Sequence, residues 1–105
     1  MVVPENIEWT ATPLGMPTGY RQAMIEGNPR LAALFTFRAK IPANWNAMPH
    51  MHPEDEHITV VDGICYLGIG EKYDEDSATM LPIGSFTLVK AWTPHFFFTK
   101  QPCII

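Results

Sequence analysis

Cysteine and cationic side chains are both scarce in this 105-residue chain, and long apolar runs are missing altogether. Cys65 and Cys103 are its only cysteines, far apart and outside any Cys-x-x-Cys pair, so neither a disulfide framework nor a thiolate zinc site is expected. Both are read as structural thiols. Seven Lys and Arg against eleven Asp and Glu leave a net charge of −4 with no basic cluster. That excludes a nucleic-acid partner, because phosphate binding needs a basic face. No apolar stretch approaches the roughly 20 residues that cross a bilayer, which excludes a membrane-spanning role. The start Met1-Val2-Val3-Pro4-Glu5-Asn6 also lacks the basic residues and apolar core of a secretory signal. A cytoplasmic protein is expected.

Room for long helices is short too, since ten Pro and seven Gly cut the sequence into small pieces. The prediction is all-β. At 47% hydrophobic and 17% charged, the composition suits one domain, residues 1–105, built on a single core. Ile7-Glu8-Trp9 reads as a first short strand. Residues 20–25 read as a second, ending at the turn signal Glu26-Gly27-Asn28-Pro29. Over residues 34–41 the pattern alternates, with Phe35, Phe37, Ala39 and Ile41 on one face and Thr36, Arg38 and Lys40 on the other, so one face is buried. Ile58-Thr59-Val60-Val61 and Ile64-Cys65-Tyr66-Leu67 flank Asp62-Gly63, the pattern of a tight hairpin. Residues 71–77, with Asp74, Glu75 and Asp76, read as a solvated loop or a single helical turn and fit no EF-hand spacing. A strand follows over residues 86–89, and no internal repeat is present.

His50, His52, Glu56 and His95 are the residues that point to chemistry. In an extended strand His50, His52 and Glu56 share a parity and project to one side, whereas Met51 and His57 point to the other. His57 is therefore expected at the surface. His95 follows Thr93-Pro94 in another strand region and meets the first three if the sheet curls into a barrel. Imidazole nitrogen with carboxylate oxygen suits a divalent Fe, Mn, Ni, Co or Zn ion. Four such ligands leave an octahedral ion two positions for water, dioxygen or a bidentate substrate. The other ring nitrogen of each His is expected to be fixed by a backbone carbonyl or a carboxylate. Trp45, Met48, Tyr66 and Trp92 are candidates to line the pocket mouth. Phe97 joins them because it shares the parity of His95, which Phe96 and Phe98 oppose.

On these residues the sequence resembles a cupin. The first cupin motif runs Gly, five residues, His-x-His, three or four residues, Glu, six residues, Gly. His50, His52, Glu56 and Gly63 match it, with Asn44 in place of the first Gly. The second runs Gly, five residues, Pro-x-Gly, two residues, His, three residues, Asn. Gly84 and His95 match it, with Lys90, Trp92 and Thr99 in place of the Pro, the Gly and the Asn. The similarity extends from about Pro4 to Lys100, towards small single-domain cupins of unassigned role and the cupin modules of zinc-dependent anti-sigma factors. The resemblance implies a cupin-type double-stranded β-helix, or jelly-roll barrel, with a metal held by His50, His52, Glu56 and His95. Such proteins usually continue for another strand or two, so the end at Cys103-Ile104-Ile105 implies a barrel edge left open or covered by a neighbouring subunit. A homodimer is expected.

Three functions fit these readings. The first is a metal-dependent enzyme, dioxygenase-, isomerase- or cyclase-like, acting on a small organic molecule, with Glu56 leaving the metal to serve as base. A second is a non-catalytic module that senses a ligand or a metal. The third is an assembly module with a vestigial site. The open coordination favours the enzyme, because the fold alone supports many chemistries.

Overall fold

In the computed structural model, which describes residues 1–105, the pieces between Pro and Gly become ten strands. These are β1 (Arg21–Glu26), β2 (Thr36–Ile41), β3 (Asn46–His50), β4 (Glu56–Thr59), β5 (Asp62–Gly63), β6 (Cys65–Ile69), β7 (Thr79–Leu81), β8 (Phe86–Val89), β9 (His95–Phe98) and β10 (Cys103–Ile104). Two single 3-10 turns, Pro4–Asn6 and Glu75–Ser77, are the only helical segments. No helix is long and apolar enough to cross a membrane. Every strand pair is antiparallel, as the all-β reading predicts. One sheet has the order β1-β2-β10-β5, a second β3-β9-β6-β7, and β4 pairs with β8 in a separate ladder.

The core lies between these sheets. Ala39 and Ile41 come from β2, Cys65 and Leu67 from β6, Phe97 from β9 and Cys103 from β10, while Ile58 and Val89 close it from the β4–β8 ladder. Tyr20 stacks on Trp45 at 5.4 Å and Trp45 meets Phe97 edge-on at 6.3 Å, which fills the interior with aromatic rings. Burial of Ala39 and Ile41 confirms the alternation expected in β2. Both cysteines are free and buried in this core; the Cys103 thiol beside it, with burial, pushes the Cys65 thiol up.

Three local expectations give way to pairing at a distance. Ile7-Glu8-Trp9 is not a strand. The segment instead runs beside β1, where Thr10 donates its backbone N–H (2.9 Å) and its hydroxyl (2.8 Å) to the Gln22 carbonyl. Asp62-Gly63 does not close a hairpin either. Its flanks enter different sheets, β4 against β8 and β6 between β9 and β7, and Asp62 and Gly63 pair with Ile104 and Cys103. Gly63 has a φ of +73° and its missing Cβ leaves room for the Pro102 carbonyl and the Cys103 backbone. Finally, the expected open edge is absent at Cys103-Ile104, because β10 is bonded to β2 on one side and β5 on the other. Ile105 adds a reciprocal pair of backbone hydrogen bonds with Ala39, at 2.9 and 3.0 Å.

Only two residues other than glycine have positive φ, Asn44 at +56° and Trp92 at +59°. They occupy the two positions where the cupin motifs have Gly and this chain does not. Asn tolerates the left-handed region; Trp enters it at a cost of roughly 1–2 kcal/mol. The Asn44 turn is locked by Thr99, whose buried hydroxyl donates to the Pro42 carbonyl at 2.6 Å and accepts the Trp45 N–H at 3.1 Å.

Two stability predictions follow from this packing. A Cβ at Gly68 would overlap the Phe96 ring on the opposing strand. Gly68→Ala is therefore expected to lower the unfolding free energy by roughly 1–3 kcal/mol in a urea titration, the usual penalty of overpacking. Trp92→Gly is expected to do the opposite. Its side chain is 64% exposed, so little burial is lost, and relief of roughly 1–2 kcal/mol exceeds the roughly 0.5–1 kcal/mol that glycine's extra freedom costs. A midpoint below that of the parent would show that the indole packs more than its exposure suggests.

Candidate metal centre

Three strands and the loop between two of them supply the ligands, and the arrangement is not the single extended strand that shared parity suggested. His50 closes β3, Glu56 opens β4 in a different sheet, and His52 lies in the connecting loop. His95 opens β9 and pairs directly with His50. From Ala47↔Phe97 to His50↔His95 the register advances three residues on β3 against two on β9. That extra residue, within Met48-Pro49, is a bulge that re-aims His50 onto the face of His95. Pro49 has no N–H to offer the ladder, so an irregularity there sacrifices one bond fewer.

The loop is fastened to the β8–β9 turn. Trp92 donates its N–H to the His52 carbonyl and Ala91 donates to Asp55 Oδ1, both at 2.8 Å, while Lys90 Nζ stands 3.7 Å from Asp55 Oδ2. The Ala91 N–H, aided by Lys90, holds the Asp55 carboxyl below the usual carboxylate range. The left-handed Trp92 thus carries one of the two bonds that set where His52 lies.

Each of the three imidazoles is oriented in the same way. Nδ1 of His50 lies 2.7 Å from the Met48 carbonyl, Nδ1 of His52 2.9 Å from that of Glu54, and Nδ1 of His95 2.8 Å from that of Thr93. A carbonyl only accepts, so each Nδ1 carries the hydrogen and each Nε2 is left with its lone pair outward. This is the carbonyl fixing expected of metal-binding histidines.

The lone pairs of His52 and His95 converge on Glu56. His52 Nε2 lies 2.9 Å and His95 Nε2 3.7 Å from Glu56 Oε2, and one ligand atom from each of the three residues falls within 4.8 Å of the others. His50 stands beside this triad, its ring centre 4.4 Å from that of His95 and 6.3 Å from that of His52. The 2.9 Å approach brings an imidazole lone pair against a carboxylate oxygen, and two acceptors repel unless a proton or a cation lies between them. Adjacent ligands on an octahedral ion with bonds of about 2.1 Å are separated by roughly 3 Å. The donor set therefore fits a divalent transition ion. Burial lowers the pKa of His95, more than the hydrogen bond to Thr93 raises it, and so favours the neutral form that coordinates metal. Exposure is graded across the site: the His95 side chain is 4% accessible, those of His52 and Glu56 28% and 31%, and His50 is open to solvent.

His57 is placed as its parity requires, on the outer face of the β4–β8 ladder, stacked at 5.9 Å on exposed Phe86. Of the candidate pocket residues, Trp45 and Phe97 are inside the barrel among the core residues. Met48 and Trp92 are exposed on either side of the ligand-bearing loop. Tyr66 lies elsewhere: it pairs with Phe98 and stacks on it at 4.7 Å, on the face of the sheet opposite Leu67 and Phe97. The register of β6 against β9 decides this, and no local pattern around Tyr66 reports it. Tyr20 was not among the candidates. Its buried phenol is pushed up to about 12, chiefly by burial and further by the charge of Glu56, so the carboxylate is felt inside the core. The residues around Tyr20 carry no motif that would have revealed this.

No protein-family model matches the sequence, and no curated protein is similar to it at a significant level. Solved structures are similar. An RmlC-like cupin from Shewanella frigidimarina superposes with a TM-score of 0.75 at 16% identity, covering 98% of this chain and 82% of the other. The polyketide cyclase RemF from Streptomyces resistomycificus gives 0.78 at 18%, covering 99% and 73%. The DMSP lyase DddQ from Ruegeria pomeroyi gives 0.71 at 18%, covering 93% of this chain and 53% of that one. At such low identity the likeness speaks for architecture, and together with the antiparallel sheets wrapped around one core it shows that this chain has the cupin fold.

Proposed function

We propose that this protein is a metal-dependent enzyme acting on a small organic molecule that carries an enolisable carbonyl group. The observation that carries the reading is the 2.9 Å approach of His52 Nε2 to Glu56 Oε2, with His95 Nε2 beside them. Two imidazoles, each oriented by a backbone carbonyl, and a carboxylate form a site for a cation. His52, Glu56 and His95 would hold the ion, and His50, adjacent to His95, would complete the set from the exposed side. When bound, a divalent transition ion supplies Lewis acidity towards a carbonyl oxygen.

The protein's own contribution is proton handling. Glu56 aims Oε2 at the two imidazoles, so Oε1 is the atom that takes a proton from the carbon next to the carbonyl. Burial of His95 favours its neutral state. RemF is a polyketide cyclase and DddQ a DMSP lyase, activities that support proton-transfer chemistry at such a site over oxygen insertion.

Metal loading tests the site. His52→Ala, Glu56→Ala and His95→Ala are each expected to reduce the metal content of untagged protein from about one equivalent to below about a tenth, measured by mass spectrometry of the elements after reconstitution. His50→Ala is expected to retain metal with affinity weaker by about 10–100-fold, and His57→Ala to behave as the parent. Equal loss in His57→Ala would mean that the ladder, and not the ligands, governs loading.

Turnover tests the chemistry. With Fe, Mn, Ni, Co and Zn supplied in turn, β-diketones and small keto acids are expected to exchange α-hydrogen for deuterium in a metal-dependent reaction. Glu56→Gln is expected to slow the exchange by about 100-fold or more. Oxygen uptake without exchange would assign a dioxygenase instead, and ligand binding without either would assign a sensing module.

A further inference from the structure

The outer face of β1 and β2 carries a concentration of positive charge that the metal centre does not use. Arg21 and Lys40 are direct cross-strand partners, and the next pair on the same face is Ala23 with Arg38. Three of the chain's seven Lys and Arg thus share one sheet face in a protein of net charge −4. None of them takes part in the ion pairs of the structure, which all lie in the loop around His52, Asp55 and Glu56. Like charges placed directly opposite destabilise a ladder. A bound anion would turn that repulsion into attraction.

Arg21 and Lys40 also border a cavity of about 230 Å³, completed by Gly19, Ile41, Pro42 and Pro102. Part of its wall is closely packed. Gly19, at φ +96°, sits so close to Pro42 that a Cβ would approach the proline ring to 2.8 Å. Lys40 Nζ lies 5.4 Å from the centre of the Trp9 ring, a cation–π contact that restrains the ammonium. The lining contains two cations and no carboxylate. The volume falls below the roughly 300–1,000 Å³ of sites for larger organic ligands, so the occupant is small.

We infer that this cavity binds a phosphate group, with the Arg21 guanidinium and the Lys40 ammonium neutralising its two negative charges. A planar guanidinium fork matches two oxygens of a tetrahedral oxyanion, and an ammonium supplies a point charge to a third. The site stands on the sheet β1-β2-β10-β5, whereas the metal ligands belong to β3, β4, β9 and the loop after β3, so the inference does not rest on the proposed enzyme activity.

The test is a titration of the full-length protein with sodium phosphate near pH 7.5, followed by amide chemical shifts, beside sodium chloride at matched ionic strength and disodium succinate. Saturable shifts at Gly19, Arg21, Lys40 and Ile41 are expected with phosphate and not with chloride. Arg21→Gln and Lys40→Gln should each weaken binding by about fivefold or more, whereas Arg38→Gln, on the same face but outside the cavity lining, should stay within about twofold. Identical shifts with chloride, equal weakening by Arg38→Gln, or saturation confined to the amides around His52 and His95 would overturn the assignment. Succinate binding as tightly as phosphate would overturn the choice of phosphate.

Discussion

Three hydrogen bonds from imidazole Nδ1 to backbone carbonyls two residues away decide what this protein can do. They fix the tautomer of His50, His52 and His95 and turn every Nε2 lone pair towards the interior or its mouth. Without them the same residues would be three flexible rings, and bringing their nitrogens together would cost rotamer entropy at each binding event. The carbonyls are available because Met48 lies in the bulge at the end of β3, while Glu54 and Thr93 lie outside the strands. In mid-ladder those groups would be occupied by neighbouring strands. The site therefore depends on strand ends, and the fold places three of them at one mouth of the barrel.

Strand ends are also where this chain departs most from local preference. Trp92 occupies a left-handed turn that suits glycine, and its N–H holds the His52 carbonyl. Asn44 occupies another, stabilised through Thr99. The bulge at Met48-Pro49 shifts the register so that His50 faces His95. Each of these is an irregularity that a regular sheet would avoid, and all three border the ligand set or the strands that carry it. Strain near a site persists when the surroundings over-determine it. The paired contacts from Ala91 and Trp92 to Asp55 and His52 supply that constraint.

The sequence made the fold class and the ligand types legible because both are carried by short-range patterns. Pro and Gly spacing limits helix length, alternation in β2 reports one buried face, and the His-x-His with Glu56 and a distant His95 reports ligand chemistry. What was not legible is set by pairing between distant segments. Asp62-Gly63 has the local form of a hairpin, yet β10, some forty residues on, occupies the partner position. Parity grouped His50, His52 and Glu56 on one strand; the chain instead breaks after His50 and re-enters a different sheet at Glu56, and the residues converge through the loop. Parity did survive within each element, as His57 on β4 and Phe97 on β9 show. Tyr66 was misplaced for the same reason: the side of a sheet that faces inward is fixed by partners, and β6 acquires both of its partners from later in the sequence.

The distribution of burial then constrains where chemistry can occur. Trp45 packs against Tyr20 on one side and Phe97 on the other, so aromatic side chains fill this part of the barrel interior. His95 is buried, while His52 and Glu56 are partly open and His50 is exposed. On the proposed reading, a reactant would meet Glu56 from the solvent side, at the boundary where His50 is exposed. A carboxylate at such a boundary keeps one oxygen anchored by imidazoles and the other free to exchange protons with whatever lies above it. Burial supports the neutral form of His95 at the inner end of this gradient. That gradient, from a buried imidazole through a half-open carboxylate to an exposed imidazole, is the physical basis for proposing that this barrel is a catalyst.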